Sequence, residues 1–235
     1  MRVKSVFLSA VLLLSISGAA MAQKPSVGVS EFKNETSANW WSSDVARDLT
    51  GMLANELAAS GKFKVVERSK LGAVLDEQDL ADSGRVKKST AAKKGELTGA
   101  KYMIFATVTA FDSKTSGMGG GLSYKGIGIG GKKEEAYMAV DLRVVDTTTG
   151  EVEYVRTIEA RSSSYGVSGG YYRGGWGGSL GKYENTPVGK AIRGCVIEIT
   201  DYLGCVMVDQ DGCESEYQAK ESSRRAKTKK SIKLD

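Results

Sequence analysis

Apolar residues in the first half of the chain switch between a period of two, typical of strands, and a period of 3.6, typical of helices. The clearest helical stripe consists of Val45, Leu49, Met52, Leu53 and Leu57. The predicted elements are, in order, a strand at 27–32, a helix from its cap Ser43 to Ser60, a strand at 63–66, a helix ending near 83–84, a short helix at 89–97 and a strand at 101–111. This order predicts an α/β domain in which helices cover a sheet.

The second half of the chain predicts a hairpin followed by one long helix. Residues 136–146 alternate as a strand, 147–150 form a turn, and 151–159 run back as the partner strand. Pro187 then occupies the first turn of a late helix, where its missing N–H group costs nothing. Its apolar stripe comprises Val188, Ala191, Ile192, Cys195, Ile199 and Leu203.

Two glycine-rich segments flank this hairpin. Residues 117–131 contain eight glycines, and residues 166–181 contain eight more. Such a composition alone indicates flexible loops. Both segments differ from ordinary linkers because bulky apolar and aromatic side chains lie between the glycines, among them Leu122, Tyr124, Val167, Tyr171 and Trp176.

The first 22 residues are predicted to be a cleavable signal peptide. A basic start precedes an uncharged run, and Ala20-Met21-Ala22 fits a cleavage site. The alternative is an uncleaved anchor, but the run is shorter than the ~20 residues of a spanning helix. Gln23 would follow the cut, and the first cysteine is Cys195, so we expect an exported protein without an N-terminal lipid.

Composition argues against catalysis and against bound cofactors. The chain contains no histidine, which removes serine–histidine and cysteine–histidine catalysis and histidine metal sites. No phosphate-binding glycine pattern and no complete calcium or zinc pattern is present. We therefore expect no enzyme activity, no cofactor and no metal. An acid pair such as Asp141 and Asp146 is the remaining enzymatic alternative.

Three cysteines leave at least one thiol unpaired. Cys205 and Cys213 bracket a short polar turn and could form a disulfide in an oxidising compartment. Cys195 lies on the apolar stripe of the late helix, which predicts a buried free thiol.

Residues 209–235 form a polar, basic tail that composition predicts to be disordered. Seven basic residues lie between Lys220 and Lys233, against the single acid Glu221. This tail could contact an anionic membrane or remain solvated, and we expect no nucleic-acid partner.

Trp40 and Trp41 follow Asn39 in a predicted loop between the first strand and the first helix. Two adjacent tryptophans cannot both point inward from a short loop, so we expect at least one to be exposed as part of a contact surface. The alternative is that both cover the edge of the core.

The residues 27–35, 63–68 and 75–80 resemble the opening of CsgG-family proteins. Gly99-Ala100-Lys101-Tyr102 and the run 139–152 (Ala-Val-Asp-Leu-Arg-Val-Val-Asp-Thr-Thr-Thr-Gly-Glu-Val) are similar to that family as well. Tyr183-x-Asn185-x-Pro187 also matches. The resemblance covers residues 27–208 in this order and defines a CsgG-like domain at 23–208.

The resemblance implies a subunit of the outer-membrane channel that exports curli amyloid subunits. It implies a periplasmic α/β domain, a homo-oligomeric ring, and two β-hairpins, at about 112–140 and 160–184, that enter one shared transmembrane barrel. The partners would be further copies of the chain, a secreted polypeptide cargo, and periplasmic or outer-membrane assembly factors. Asn39, Trp40 and Trp41 stand closest to the family's channel constriction.

Strand alternation supplies candidate lipid-facing residues in these hairpins. They are Met118, Leu122 and Tyr124 in the first hairpin and Tyr165, Val167, Tyr171 and Trp176 in the second. The alternative function is a soluble periplasmic relative that binds another envelope or cell-wall assembly component without forming a pore.

Overall fold

The computed structural model describes residues 23–117, 123–124, 127–128, 132–165, 180 and 185–232. Its main feature is one mixed sheet with the strand order β3-β1-β4-β7-β8, in which β2 pairs with β4 beside this path, while β5 and β6 pair separately. The strands are β1 (Ser26–Val29), β2 (Lys33–Asn34), β3 (Lys64–Val65), β4 (Tyr102–Gly117), β5 (Ser123–Tyr124), β6 (Ile127–Gly128), β7 (Lys132–Asp146) and β8 (Val152–Tyr165). The predicted α/β class is confirmed.

The sheet has a parallel part and an antiparallel part that meet at β4. β1 pairs in parallel with both β3 and β4, whereas β4, β7 and β8 form a continuous antiparallel meander. The turn between β7 and β8 is held by Asp146, whose side chain accepts the backbone N–H groups of Thr148 and Thr149. These bonds, first that of Thr148, lower the pKa of the Asp146 carboxyl.

In the described part of the chain, four α-helices accompany the sheet: α1 (Ser43–Ala59), α2 (Leu71–Asp82), α3 (Pro187–Gly204) and α4 (Glu214–Ser231). Ser42, one residue earlier than predicted, caps α1, because its Oγ accepts the Val45 N–H at 3.2 Å. Thr186 caps α3 in the same way, with Pro187 in the first turn as predicted.

One face of the sheet, which we call the core face, packs against α1 and α3. It carries alternate strand residues such as Ile104, Leu142 and Ile158, all at most 2% exposed. Gly194 of α3 lies directly over β8, where an added Cβ would approach the Ala160 Cβ to 3.3 Å. The absence of a side chain at this position therefore lets the helix lie close to the sheet.

The opposite face, which we call the open face, carries Phe105, Arg143 and Val155. In the sheet, β3 and β4 lie on opposite sides of β1. The connection from β1 to β3, which contains α1, and the connection from β3 to β4, which contains α2, therefore cross the sheet in opposite directions. Because crossovers between parallel strands are right-handed, α1 and α2 are assigned to opposite faces. Arg68, just before α2, agrees with this rule. Gly28 lies between two core residues of β1, so a side chain there would point to the open face. The Arg68 Cγ lies 3.2 Å from the position that a Cβ on Gly28 would occupy.

Two predictions of local structure are wrong. The short helix predicted at 89–97 is absent, because Gly95 adopts a φ of 79° and Leu97 is exposed, which leaves no apolar face to dock. The tail predicted to be disordered contains α4 over Glu214–Ser231. Its residues are strong helix formers without glycine or proline, and acids at its start and lysines at its end suit the helix dipole.

Candidate functional site

Three strands continue beyond the helices and form what we call the ribbon, residues 112–117, 132–136 and 161–165. β4 and β7 pair without interruption from Ala110 to Gly117, and β7 pairs with β8 as far as Tyr165. Asp112, Glu135 and Arg161 are exposed where the ribbon leaves the body. The ribbon therefore ends where both glycine-rich segments begin.

The candidate lipid-facing residues belong mostly to these segments. Met118, Leu122, Val167, Tyr171 and Trp176 lie outside the described residues, as does the signal peptide at 1–22. The backbone of Tyr124 is in β5, paired with Ile127, and that of Tyr165 ends β8. Of the second predicted hairpin at 160–184, the structure describes 160–165 and Leu180, which is fully buried and donates its N–H to Asp48 of α1.

The base of the ribbon is polar. A hollow of about 440 Å³ is lined by residues of all three strands, including Asp112, Glu135 and Arg161. The Arg161 guanidinium lies 4.9 Å from the ring centre of Tyr137. Burial and the nearby Glu159 raise the pKa of Tyr137. Charged and aromatic groups therefore mark the boundary between the body and the ribbon.

A compact loop joins β2 to α1 beside this boundary. The Asn34 side chain accepts the Thr36 N–H at 3.0 Å and its hydroxyl at 2.7 Å, and donates to the Thr36 carbonyl. The Thr36 hydroxyl accepts the Ala38 N–H, and Trp41 donates its N–H to the Ala38 carbonyl at 3.2 Å. These local bonds define the path of the loop after Glu35, whose N–H still donates to the Val108 carbonyl of β4 at 2.9 Å.

Trp40 anchors the loop in the core. Its side chain is 5% exposed and its ring meets that of Phe111 edge-on at 5.2 Å. A bulge in β4 between Val108 and Ala110 shifts the register, so Phe111 pairs with Met138 and lies on the core face. Sequence reasoning missed Phe111 as a partner because period-two alternation does not reveal a bulge.

The candidate constriction residues therefore have different environments. Trp41 packs partly buried against the core, with its ring 5.7 Å from that of Trp40, while Asn39 is exposed. The expectation that at least one tryptophan is exposed is wrong, because contact with Phe111 buries Trp40 and Trp41 is partly buried. The alternative, that both cover the edge of the core, agrees with the structure. In this conformation Asn39 is the residue of the three that projects most freely from the loop.

The open face presents apolar side chains to solvent. Phe105 is 39% exposed and Val155 is 66% exposed, and both border charged residues such as Arg143. An open hollow of about 430 Å³ lies between Phe105, Arg143 and the segment 31–35, and Asp141 also lines it. Leu75 and Leu80 of α2 are also exposed. Such a mixture of apolar and charged groups is typical of a contact surface.

The cysteines connect α3 to α4. Cys205 and Cys213 form a disulfide across the π-helical turn Cys205–Asp209, with their Cα atoms 6.0 Å apart. Cys195 is a free thiol, 1% exposed, as its position on the apolar stripe predicts, and burial raises its pKa to about 12. The thiol therefore stays neutral at physiological pH.

Asp141 and Asp146, the acids considered as a catalytic pair, lie apart in the structure. Asp141 lies on the open face and accepts the Thr157 hydroxyl at 2.7 Å, whereas Asp146 holds the turn. Five strand residues separate the two by about 17 Å, and their side chains leave opposite faces. Within the described residues, no group of three or more cysteines and acids is arranged to hold a metal ion.

None of the helices in the described part of the chain combines the length and the apolar character needed to cross a membrane.

Comparison with known proteins identifies one family. The family model described as "Curli production assembly/transport component CsgG" matches residues 10–232. The curated proteins of that name from Salmonella typhimurium (strain LT2) and Escherichia coli (strain K12) are each 29% identical over 147 residues, which is 61% of this chain and 53% of theirs. The chain therefore spans about half the length of these relatives.

Solved structures share the fold only distantly. A hypothetical protein from Chlamydia trachomatis gives a TM-score of 0.46 at 17% identity, covering 78% of this chain and 97% of that one. A subunit of the PelC dodecamer from Paraburkholderia phytofirmans gives 0.36 at 16%, covering 78% and 91%. At these scores neither structure bears on assembly or function.

Proposed function

We propose, from the premise that the chain belongs to the CsgG family of curli production assembly/transport components, that it is a subunit of an outer-membrane protein secretion channel. The protein would be exported by residues 1–22 and would assemble with copies of itself into a ring. Each copy would lend its glycine-rich segments to a shared barrel, and an unfolded polypeptide would pass through without any chemical step.

The observation that carries this proposal is the ribbon. Its strands are exposed at Asp112, Glu135 and Arg161, yet their backbones remain paired up to Gly117 and Tyr165. A body that needed only a short turn here would end its strands near Ala136, where burial stops. Because an open sheet edge cannot lie in lipid, strands from one chain would have to join those of neighbouring copies.

The loop at 35–41 supports a narrowing of the same channel. It is held by its own hydrogen bonds and by the buried Trp40 ring, so it would keep its shape while polypeptide passes. Asn39 and Trp41 would line the narrow part, and Trp40 would position them. This divides the three candidate residues into one anchor and two lining residues.

Reconstitution of the full-length protein into planar bilayers tests the proposal. Discrete conductance steps are expected, together with a large ring in negative-stain images. Leu122→Asp, which introduces a charge at a candidate lipid-facing position, should abolish the steps. Leu97→Asp changes an exposed leucine in the loop leading into β4 and should leave them intact. A monomer that gives no conductance would overturn the proposal.

The constriction has its own test. Asn39→Trp should lower the unitary conductance, because it adds bulk to an exposed loop position in every copy of the ring. Ser89→Trp adds the same ring to an exposed position in the loop before β4 and serves as the control. Equal conductance in both variants would remove Asn39 from the channel lining.

The open face supports a second candidate function, a periplasmic protein that binds another envelope component without forming a pore. Val155 and Phe105 provide apolar contact area that no described helix covers. Cell fractionation separates the two functions. The periplasmic candidate requires the protein to be in the periplasmic fraction and to lose its partner when Val155→Glu is introduced. The channel requires the protein to be in the outer-membrane fraction.

A further inference from the structure

The last two turns of α4 carry a dense group of cations, which we call the basic end: Arg225, Lys227, Lys229 and Lys230. All four are exposed. Within the described residues their side chains form no hydrogen bond and no ion pair, unlike those of Lys220 and Arg224 earlier in the same helix. Unpaired cations concentrated within six residues attract polyanions or anionic surfaces.

The direction of α4 determines where this basic end lies. Arg156 of β8 meets Tyr217 of α4, and Glu159 of β8 meets Arg224. Seven helical residues and three strand residues each span about 10 Å, so α4 advances alongside β8 in the same direction. Seven more residues of α4 after Arg224 and three more residues of β8 after Glu159 therefore place Ser231 level with Ser162, at the base of the ribbon.

The core does not explain why α4 lies there, because none of its residues is buried. Specific contacts hold its first half instead. Arg156 donates to the Tyr217 carbonyl at 3.0 Å, and its guanidinium lies near the rings of both Tyr202 and Tyr217, 5.1 and 4.8 Å from their centres. The disulfide fixes the preceding turn. The helix therefore holds its basic end in a defined place beside the ribbon.

We propose that the basic end of α4 binds the anionic phospholipid headgroups of the membrane that faces the α/β body. This inference rests on the proposed function for one point only, that the ribbon points toward a membrane. The ends of the strands and the cations then face the same surface. A nucleic acid fits less well, because the cations surround the helix and form no groove that could follow a phosphate backbone.

Vesicle co-sedimentation with the full-length protein tests this binding. Vesicles of 30% phosphatidylglycerol in phosphatidylcholine should bind the protein at low salt more tightly than pure phosphatidylcholine vesicles do. Replacement of all four cations by glutamine should weaken the anionic-vesicle binding at least about tenfold, since each basic residue near an anionic surface contributes substantially. Raising the salt to 0.5 M should erase the difference between the proteins.

A control variant matches the charge change at the other end of the sheet. Arg85, Lys87, Lys88 and Lys93 are exposed in the loop that leads into the start of β4. Their replacement by glutamine should leave vesicle binding within about twofold of the unmodified protein. Equal losses in both variants would show general charge attraction and overturn the proposal.

Two further readouts complete the test. Duplex DNA should bind at least tenfold more weakly than anionic vesicles at equal phosphate concentration, and tighter DNA binding would overturn the lipid assignment. Planar-bilayer conductance separates this proposal from the channel. If the basic-end variant binds vesicles normally, the lipid contact is refuted whatever the conductance. If the unmodified protein gives no conductance but its vesicle binding still depends on α4, only the channel is refuted.

Discussion

α3 and α4 are helices of equal length that form for different reasons. α3 buries eleven of its eighteen residues, whereas α4, also eighteen residues long, buries none. Helix propensity follows the opposite order, because the residues of α4 favour a helix more than those of α3 do. α3 contains glycines and several β-branched residues, while α4 is built from alanine, glutamate, lysine and arginine.

The difference teaches that burial and local propensity can substitute for each other in this chain. α3 is helical because its apolar stripe fills the space between α1 and the core face. α4 is stabilised by its residue types, by the Arg224–Glu221 pair and by a few contacts to Arg156 and Tyr202. Because none of its residues is fully buried, α4 is available for contacts outside the core.

The largest expected effect separates two isoleucines of α3. Ile199 is fully buried and Ile197 is 41% exposed. Ile199→Ala should lower the free energy of unfolding by about 2–5 kcal/mol, because it leaves a cavity. Ile197→Ala should cost less than about 0.5–1 kcal/mol. Urea unfolding measures both, and equal losses would contradict the assignment of α3 stability to burial.

The next effect concerns the junction between the two helices. Replacing Cys205 and Cys213 by serine opens a loop with a sequence separation of eight residues. The chain-entropy estimate for this loop is about 2–3 kcal/mol. Urea unfolding under oxidising conditions should show this loss, and a reductant should lower the stability of the unmodified protein to the same value. If a reductant still lowered the stability of the double serine variant, the loss would not arise from this disulfide.

Tyr217 provides a smaller effect that is confined to α4. Its ring meets the Tyr202 ring edge-on at 5.2 Å and lies beside Arg156. Tyr217→Ala should cost about 1–2 kcal/mol and should make the arginines and lysines of α4 accessible to trypsin while the body stays resistant. Tyr217→Phe keeps the ring and should resist trypsin as the unmodified protein does. Cleavage of the body at the same rate would show that α4 is part of the global folding unit.

The smallest effect is the pH dependence of the Glu221–Arg224 pair. A hydrogen bond from Arg224 lowers the pKa of the Glu221 carboxyl. Its contribution is therefore complete above the ordinary glutamate pKa of about 4.3 and is lost as the pH falls through the lower folded value. Glu221→Gln should reduce stability by less than about 1 kcal/mol at pH 7. The difference in urea unfolding should shrink as the pH falls through this lowered pKa, and a difference that grows toward low pH would contradict the pairing.

The sequence predicts the body better than the ribbon. Hydrophobic spacing identifies α1, α3 and the central strands, since burial on one face leaves a periodic signal. It also identifies α2, although the leucines Leu75 and Leu80 of that helix are exposed. The ribbon residues Asp112, Ser113 and Lys114 are polar and exposed, so they carry no such signal and are in a strand only because β7 pairs with them. The charge of α4 concealed a helix propensity that its residue types do show.

The candidate site divides in the same way. The sequence identifies Asn39, Trp40 and Trp41 through a family resemblance, and it identifies the cysteine pair through its spacing. The burial of Trp40 depends on Phe111, seventy-one residues later, and on a bulge that moves Phe111 to the core face. No local pattern contains that contact.

The sequence by itself determined the α/β order, the apolar stripe of α3 and the density of cations near the end of α4. Each of these depends on residues that are neighbours along the chain. The tertiary structure alone decided that Trp40 is an anchor, that three strands leave the body together, and that the basic end lies at their base. Each of these depends on hydrogen bonds or side-chain contacts between distant segments, which exist only once the sheet has formed.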